Sequence, residues 1–434
     1  MRTFTYTGNP ARIVFGAGRS HEVASFVETL GCRRALVLST PHQRADAEKL
    51  ATSLGSLSAG VFAGAVMHTP VEVTENALKV LKETAADCVV SLGGGSTTGL
   101  GKAIAYRTDL PQIVIPTTYA GSEVTPILGQ TEGGRKTTVR NASILPEVVI
   151  YDPDLTLGLP IGMSVTSGLN AMAHAVEGVY ARDRNPISTL MALDGLRAFR
   201  DSLPVLIENP GNAEARADAL YGAWLCGTVL GTVGMALHHK ICHTLGGSFD
   251  TPHAETHAVM LPHTAAFNAT AAQTELAAAA ELFGGSIGGG LWDFAMSIGA
   301  PLSLKDFGLV EADLVRPWDI LGENDADRRI ERERLFRMNR QNPRVSTVRQ
   351  TDHGLQAACG AGEIINVLCL PENIRQGFRN NDRGIHRCLC PSSSGFIHLL
   401  YIFCFHGNNS SAMPLASNKR TKWASMSWWT IRRR

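Results

Sequence analysis

The chain opens with short apolar runs that end in turn residues. "ARIVFGAG" (11–18) enters a glycine turn, and "RRALVLST" (33–40) passes from charged to apolar to polar. "DCVVSLGGGS" (87–96), "PQIVIPTTY" (111–119) and "PEVVIYDPDL" (146–155) repeat that form. Such brief Val/Ile-rich runs read as strands buried on both faces. Between them, 43–54, 72–84 and 98–106 carry helical spacing. Strands alternating with helices predict a Rossmann-like parallel sheet covered on both sides.

After about residue 160 the period changes. "TSGLNAMAHAVEGVYA" (166–181) spaces its apolar residues as a helix does, and so do 187–207, 213–235 and 264–283. The expectation is an α/β domain over 1–159 and an all-α domain over 160–324. From 325 to 434 the pattern lapses. "RRIERERLFRMNRQNPR" (328–344) reads as a charged helix, but the rest keeps neither period. That atypical basic tail reads either as a disordered extension or as a stretch translated in a wrong frame.

Composition narrows the function. With 44% hydrophobic and 18% charged residues, the 434-residue chain is globular. Its net charge of +1 hides an uneven spread: 22 basic against 31 acidic residues over 1–324, and 18 against 8 from Asp325 on. The acidic body offers no basic face for nucleic acid. None of the nine cysteines forms a CxxC pair, which predicts free thiols in a reducing, cytoplasmic setting. The N-terminus lacks the apolar stretch of a signal peptide, and no run of about 18 apolar residues predicts a membrane span.

Three motifs carry chemistry. "GGGSTTGLGKA" (93–103) follows an apolar strand. Gly93, Gly94 and Gly95 admit a close phosphate, and Ser96 or Thr97 is placed to cap a helix whose N-terminus favours an anion. "PTTYAGSEVT" (116–125) ends the next strand and offers the hydroxyls of Thr117, Thr118, Ser122 and Thr125. For Ser122 and Thr125, turn capping is the simpler role. Finally, Asn170 and His174 stand four apart in "LNAMAHAVE", and His239 and His243 four apart in "HHKICHTLGGSFDTPH", with His253 beyond. A lone histidine on an apolar helix is usually a satisfied core residue. Two such pairs plus His253 converge as a metal or proton-transfer site requires.

In that order these motifs resemble the iron-containing alcohol dehydrogenase family, over roughly residues 4–320. "RIVFGAG", "IPTTYAGSEVTPILG" and "SGLNAMAHAVEGVYA" are closest to its maleylacetate reductase branch. The resemblance implies the dehydroquinate synthase-like fold of that family, a nicotinamide cofactor and a homodimer. In metal-dependent members an Asp and three His hold iron or zinc. The His positions match His174, His239 and His253, and His243 matches a further active-site histidine. The Asp position holds Asn170, an uncharged and weaker ligand for a hard cation. The resemblance therefore implies a site without metal, in which histidines serve proton transfer and bind a small dicarboxylate. Hydride from the cofactor would add to one alkene carbon of maleylacetate, and histidine N–H groups would stabilise the charge on the conjugated oxygen. Histidine would then supply the proton, with the roles of His239 and His243 left open. Where NAD-restricted members carry an Asp after the second strand, this chain has Ser39 and Thr40, so NADH and NADPH are both expected. The alternatives are a metal-dependent alcohol dehydrogenase of the same fold and an inactive product with an altered C-terminus.

Overall fold

A computed structural model of the chain describes residues 3–309, apart from 7, 10 and 134. The expectations for 325–434, including the charged helix at 328–344, lie outside the described residues. The strands are β1 (Arg12–Phe15), β2 (Ala35–Leu38), β3 (Ser58–Phe62), β4 (Cys88–Gly93), β5 (Gln112–Pro116), β6 (Ile127–Glu132), β7 (Arg135–Arg140) and β8 (Val148–Tyr151). Six of them form one parallel sheet in the order β1-β8-β5-β4-β2-β3, and β6 pairs antiparallel with β7. Helices α1 (Val23–Thr29), α2 (Arg44–Leu54), α3 (Val71–Glu83) and α4 (Gly95–Thr108) alternate with the strands. Described elements after β8 are helical: α5 (Ile161–Tyr180), α6 (Pro186–Glu208), α7 (Ala213–Thr232), α8 (Leu237–Phe249), α9 (His253–Ala269), α10 (Gln273–Leu282) and α11 (Ile287–Ser297).

The two-residue period of a strand builds the two faces. In β2, Ala35 and Val37 pack with Phe26 and Val27 of α1 and Ala47 and Leu54 of α2. Leu36 and Leu38 point the other way, into Ala77 and Leu81 of α3 and Leu100 and Ile104 of α4. Leu36 and Leu38 are each fully buried, which stabilises the fold by about 2 kcal/mol per side chain.

Three strands escaped the apolar pattern. β3 is half-buried along its length, and its Gly60 has φ +119°. β6 and β7 form a mostly polar hairpin, so neither reads as an apolar run. The stretch expected as one helix over 264–283 is two, α9 and α10, broken at 270–272. Asn268 Nδ2 donates to Thr264 O, and such side-chain bonds compete with the ladder and favour a helix end.

By its contacts the chain divides into one unit of residues 1–258 with 295–300, and a second that contains 259–294. The sheet and α1–α8 belong to the first unit. Two features lock α7 there. A Cβ on Gly227 would lie 2.3 Å from Gly121 O, so the backbones touch where only glycine fits. Arg216, fully buried, donates to Tyr119 Oη (3.1 Å), Ser164 Oγ (2.8 Å) and Leu159 O (3.0 Å), tying the strand-end loop to α5 and α7. Among the described residues no single helix is long and apolar enough to cross a membrane.

Candidate active site

The carboxyl edge of the sheet gathers the loops after β2, β4 and β5. Gly93 pairs in register with Pro116, and Thr117 N–H donates to Gly93 O at 3.1 Å. The end of α4 does not match the expected capping. The N-cap is Gly94, with no side-chain cap, and Ser96 and Thr97 lie in the first turn. The chain turns at Gly93 (φ +152°), which starts the helix before either hydroxyl can flank it. The glycines also differ in purpose. A Cβ on Gly93 would strike Thr97 Oγ1 at 2.4 Å, and one on Gly94 would strike Thr118 Cγ2 at 2.7 Å. Those two serve packing within the protein. Gly95, whose Cβ would meet only Ala120 Cβ at 3.9 Å, keeps the helix N-terminus open to an anion.

Ser39 and Thr40 separate as well. Ser39 is fully buried and donates to Thr40 O, whereas Thr40 is partly exposed. Gln43, which carries no motif, reaches across the edge: its Nε2 donates to Thr117 Oγ1 at 2.9 Å. Ser122 faces inward rather than toward the edge. Its hydroxyl and carbonyl, Thr125 Oγ1 and Ile127 O surround the buried ammonium of Lys102. Burial pulls the Lys102 pKa down to about 7 against the pull of Glu123, and Glu123 accepts from Tyr151 Oη at 2.8 Å. Lys102 thus bolts α4 to the loop after β5.

The helices bring the expected histidines together. Asn170 and His174 sit on α5, both buried. His239 and His243 sit on α8, and His253 opens α9. Ring centroids of His174 and His239 are 5.1 Å apart, of His239 and His243 6.1 Å, and of His243 and His253 6.3 Å. His239 is buried, His253 half-buried and His243 exposed, so the cluster runs from interior to surface. Asn170 Oδ1, His174 Nδ1 and His239 Nε2 are buried without a hydrogen-bond partner.

Sequence reasoning missed Glu177, His238, Cys242 and His257. Glu177 is the carboxylate of the cluster. It accepts from His239 Nδ1 at 2.6 Å, and from the backbone N–H groups of Ala236 (3.0 Å) and His238 (2.7 Å) at the start of α8. Burial pushes its pKa up, but the His239 hydrogen bond, the neighbouring imidazoles and the backbone N–H groups outweigh that, and it falls to about 2. With Nδ1 held by Glu177, His239 presents Nε2 to the site. Behind the cluster, His238 Nε2 lies 2.9 Å from His257 Nδ1, and Cys242 Sγ lies 3.7 Å from His238 Nε2. Burial, reinforced by the neighbouring imidazoles, holds His174 and His257 well below the usual histidine range and His238 at about 3. These three are neutral at pH 7. The signal for two of the missed residues was present: Glu177 is seven after Asn170, and His257 four after His253, the spacing that joins the other pairs.

Residues 10–153 match the iron-containing alcohol dehydrogenase family, and residues 164–317 match the C-terminal part of the Fe-containing alcohol dehydrogenase family. The chain is 66% identical over 314 residues to a maleylacetate reductase of Rhizobium sp. (strain MTP-10005), covering 72% of this chain and 90% of that one. It is 53% identical over 307 residues to a maleylacetate reductase of Sphingobium indicum, covering 70% and 87%. The crystal structure of maleylacetate reductase from Agrobacterium tumefaciens superposes with a TM-score of 0.71 at 66% identity, covering 72% of this chain and 90% of that one.

Proposed function

We propose that this chain, which belongs to the iron-containing alcohol dehydrogenase family, reduces the C=C bond of maleylacetate with NADH or NADPH, giving 3-oxoadipate. Residues 1–159 supply the nucleotide edge and 160–324 the chemistry. The family name implies iron, and the donor set here does not suit it. The four matching positions offer three imidazoles and the neutral amide of Asn170, with no anionic ligand for a hard divalent cation. Among the described residues the adjacent carboxylate, Glu177, is occupied by His239 Nδ1 and helix N–H groups. The reaction therefore runs on the chain's own residues.

A nicotinamide bound at the nucleotide edge would supply a hydride to the alkene carbon β to the ketone. The electron pair moves to the ketone oxygen as an enolate, and the α carbon then takes a proton. His239, its Nδ1 hydrogen-bonded to Glu177, directs Nε2 at the ketone oxygen where the charge develops. His243 is exposed, exchanges protons with solvent and supplies the proton. Neutral His174 and the Asn170 amide hold a substrate oxygen, and His253 completes the carboxylate contacts. The observation that carries this reading is the buried His239–Glu177 pair beside an amide where a metal site needs a charge. On the cofactor side, no carboxylate stands at Ser39 or Thr40 to repel a 2′-phosphate; Gly95, Ser96 and Thr118 are open to meet the nucleotide, whereas Thr97 and Thr117 are buried behind them.

The test is NADH oxidation with maleylacetate by protein dialysed against EDTA and assayed for metal. Full activity with far less than one iron or zinc per chain is expected. Activity that appears only on adding metal, or that acts on simple alcohols instead, overturns the reading.

A further inference from the structure

The structure assigns a second, separate site to this chain: a soft-metal site of two imidazoles and one thiolate at His238, Cys242 and His257, suited to zinc. This inference goes beyond the reductase reading and does not depend on it. One donor atom from each residue falls within 4.8 Å of the other two, and all three residues are buried. A tetrahedral zinc, with bonds of about 2.0 Å to nitrogen and 2.3 Å to sulfur, needs N···N and N···S separations of about 3.3 and 3.6 Å. The observed separations are 2.9 Å for His238 Nε2 to His257 Nδ1 and 3.7 Å for His238 Nε2 to Cys242 Sγ. Shifts of a few tenths of an ångström bring the first pair to the required separation.

The local sequence makes the triad. His238 and Cys242 are four apart on α8 and share a face, and His257 enters from the first turns of α9. His257 is fully buried, with Nδ1 turned toward His238. The set differs from the neighbouring Asn170 set in the one respect that matters for a divalent ion. Cys242 becomes anionic on binding, and sulfur with imidazole is the donor mix that zinc favours over iron or magnesium.

The charges balance. Without metal the triad is neutral: burial keeps the thiol protonated and both imidazoles uncharged. On binding, the zinc–sulfur bond replaces the S–H bond and one proton leaves to solvent. Each imidazole keeps its single proton on the nitrogen that does not ligate. The site gains one net positive charge. The Glu177 carboxylate, bonded to the His238 backbone N–H at 2.7 Å, lies close enough to offset it.

The experiment uses full-length protein stripped by chelator and dialysed against cobalt(II) as the probe. The expected spectrum has a thiolate-to-cobalt charge-transfer band and the visible bands of a tetrahedral ion. Five further cysteines lie after residue 358, so the readout is the difference between variants. Cys242→Ser removes one equivalent of the charge-transfer band. Cys226→Ser, which alters an equally buried thiol on α7, leaves it in place. His257→Asn lowers the retained cobalt in the same way. Zinc titrated into wild-type protein in two buffers of different ionisation enthalpy releases about one proton per ion. An unchanged band in both Cys242→Ser and His257→Asn overturns the proposal. So does cobalt bound without any thiolate band, which would place the ion among the imidazoles around Asn170. If Cys242→Ser fails to fold, the result for His257→Asn decides. Maleylacetate reduction in EDTA is measured separately, so failure of this site leaves the reductase reading standing.

Discussion

Glu177→Gln removes one charge from the interior and changes almost no volume. The carboxylate takes a hydrogen bond from His239 Nδ1 and caps α8 from outside that helix. Its pKa falls from 4.5 to about 2 in the folded state. A depressed carboxylate contributes stability above its unfolded pKa and loses it as pH falls toward the folded value. The 2.5-unit difference corresponds to about 3 kcal/mol at pH 7, falling to about 1 kcal/mol at pH 3. Urea titrations of wild type and Glu177→Gln at both pH values measure that difference. The variant should be weaker by about 3 kcal/mol at pH 7, and the gap should narrow at pH 3. Activity falls in parallel, by about 10- to 100-fold in kcat, because a neutral amide with one acceptor oxygen no longer orients and polarises His239 as the carboxylate does. NADH binding, set at the other edge, stays within twofold of wild type. A gap under about 1 kcal/mol at pH 7, or one that does not change with pH, would refute the reasoning.

Further outcomes follow from the cofactor edge and the core. Thr40→Asp places a carboxylate at the partly exposed end of β2, so kcat/KM for NADPH should drop at least tenfold relative to NADH; Ser39→Asp would instead bury the charge and cost stability. In the wild type the NADH to NADPH preference should stay within about two powers of ten, roughly 2.7 kcal/mol, as read from initial rates. Lys102→Ala strips the 122–127 loop of its ammonium and leaves Glu123 buried beside no cation, so a loss of about 3–5 kcal/mol is expected in urea titration, with weaker NADH binding by fluorescence. Gly227→Ala sets a methyl 2.3 Å from Gly121 O, and the melting temperature should fall by an amount equivalent to about 1–3 kcal/mol or more.

The central strands were legible because each is buried on both faces, which forces an unbroken apolar run: β2, β4, β5 and β8 are entirely buried. The polar hairpin and the half-buried β3 were not, since partial exposure relaxes that demand. The site shows the same division by cause. Histidines at helical spacing are visible in the sequence because local geometry alone aligns them. The partner that gives His239 its chemistry lies 62 positions away on another helix, and no local pattern reports a contact of that range. Glu177 also reads as an ordinary helical acid until α8 is docked against it. Its charge is then fixed by an imidazole, the backbone N–H groups of Ala236, His238 and His239, and the Tyr180 hydroxyl. Substituting Asn170 removes a ligand charge at the front, while Glu177 keeps a charge one bond further back, where it polarises an imidazole instead of holding an ion. A carboxylate at position 170 would add a second buried anion to α5 beside Glu177, and a divalent cation held by the neighbouring imidazoles relieves that burden. Asn170→Asp should therefore raise zinc affinity at the front site, measurable by competition with a chromogenic chelator, and slow turnover as zinc is added. An Asn170→Asp variant whose zinc titration matches the wild type would show that the amide is not what keeps metal out.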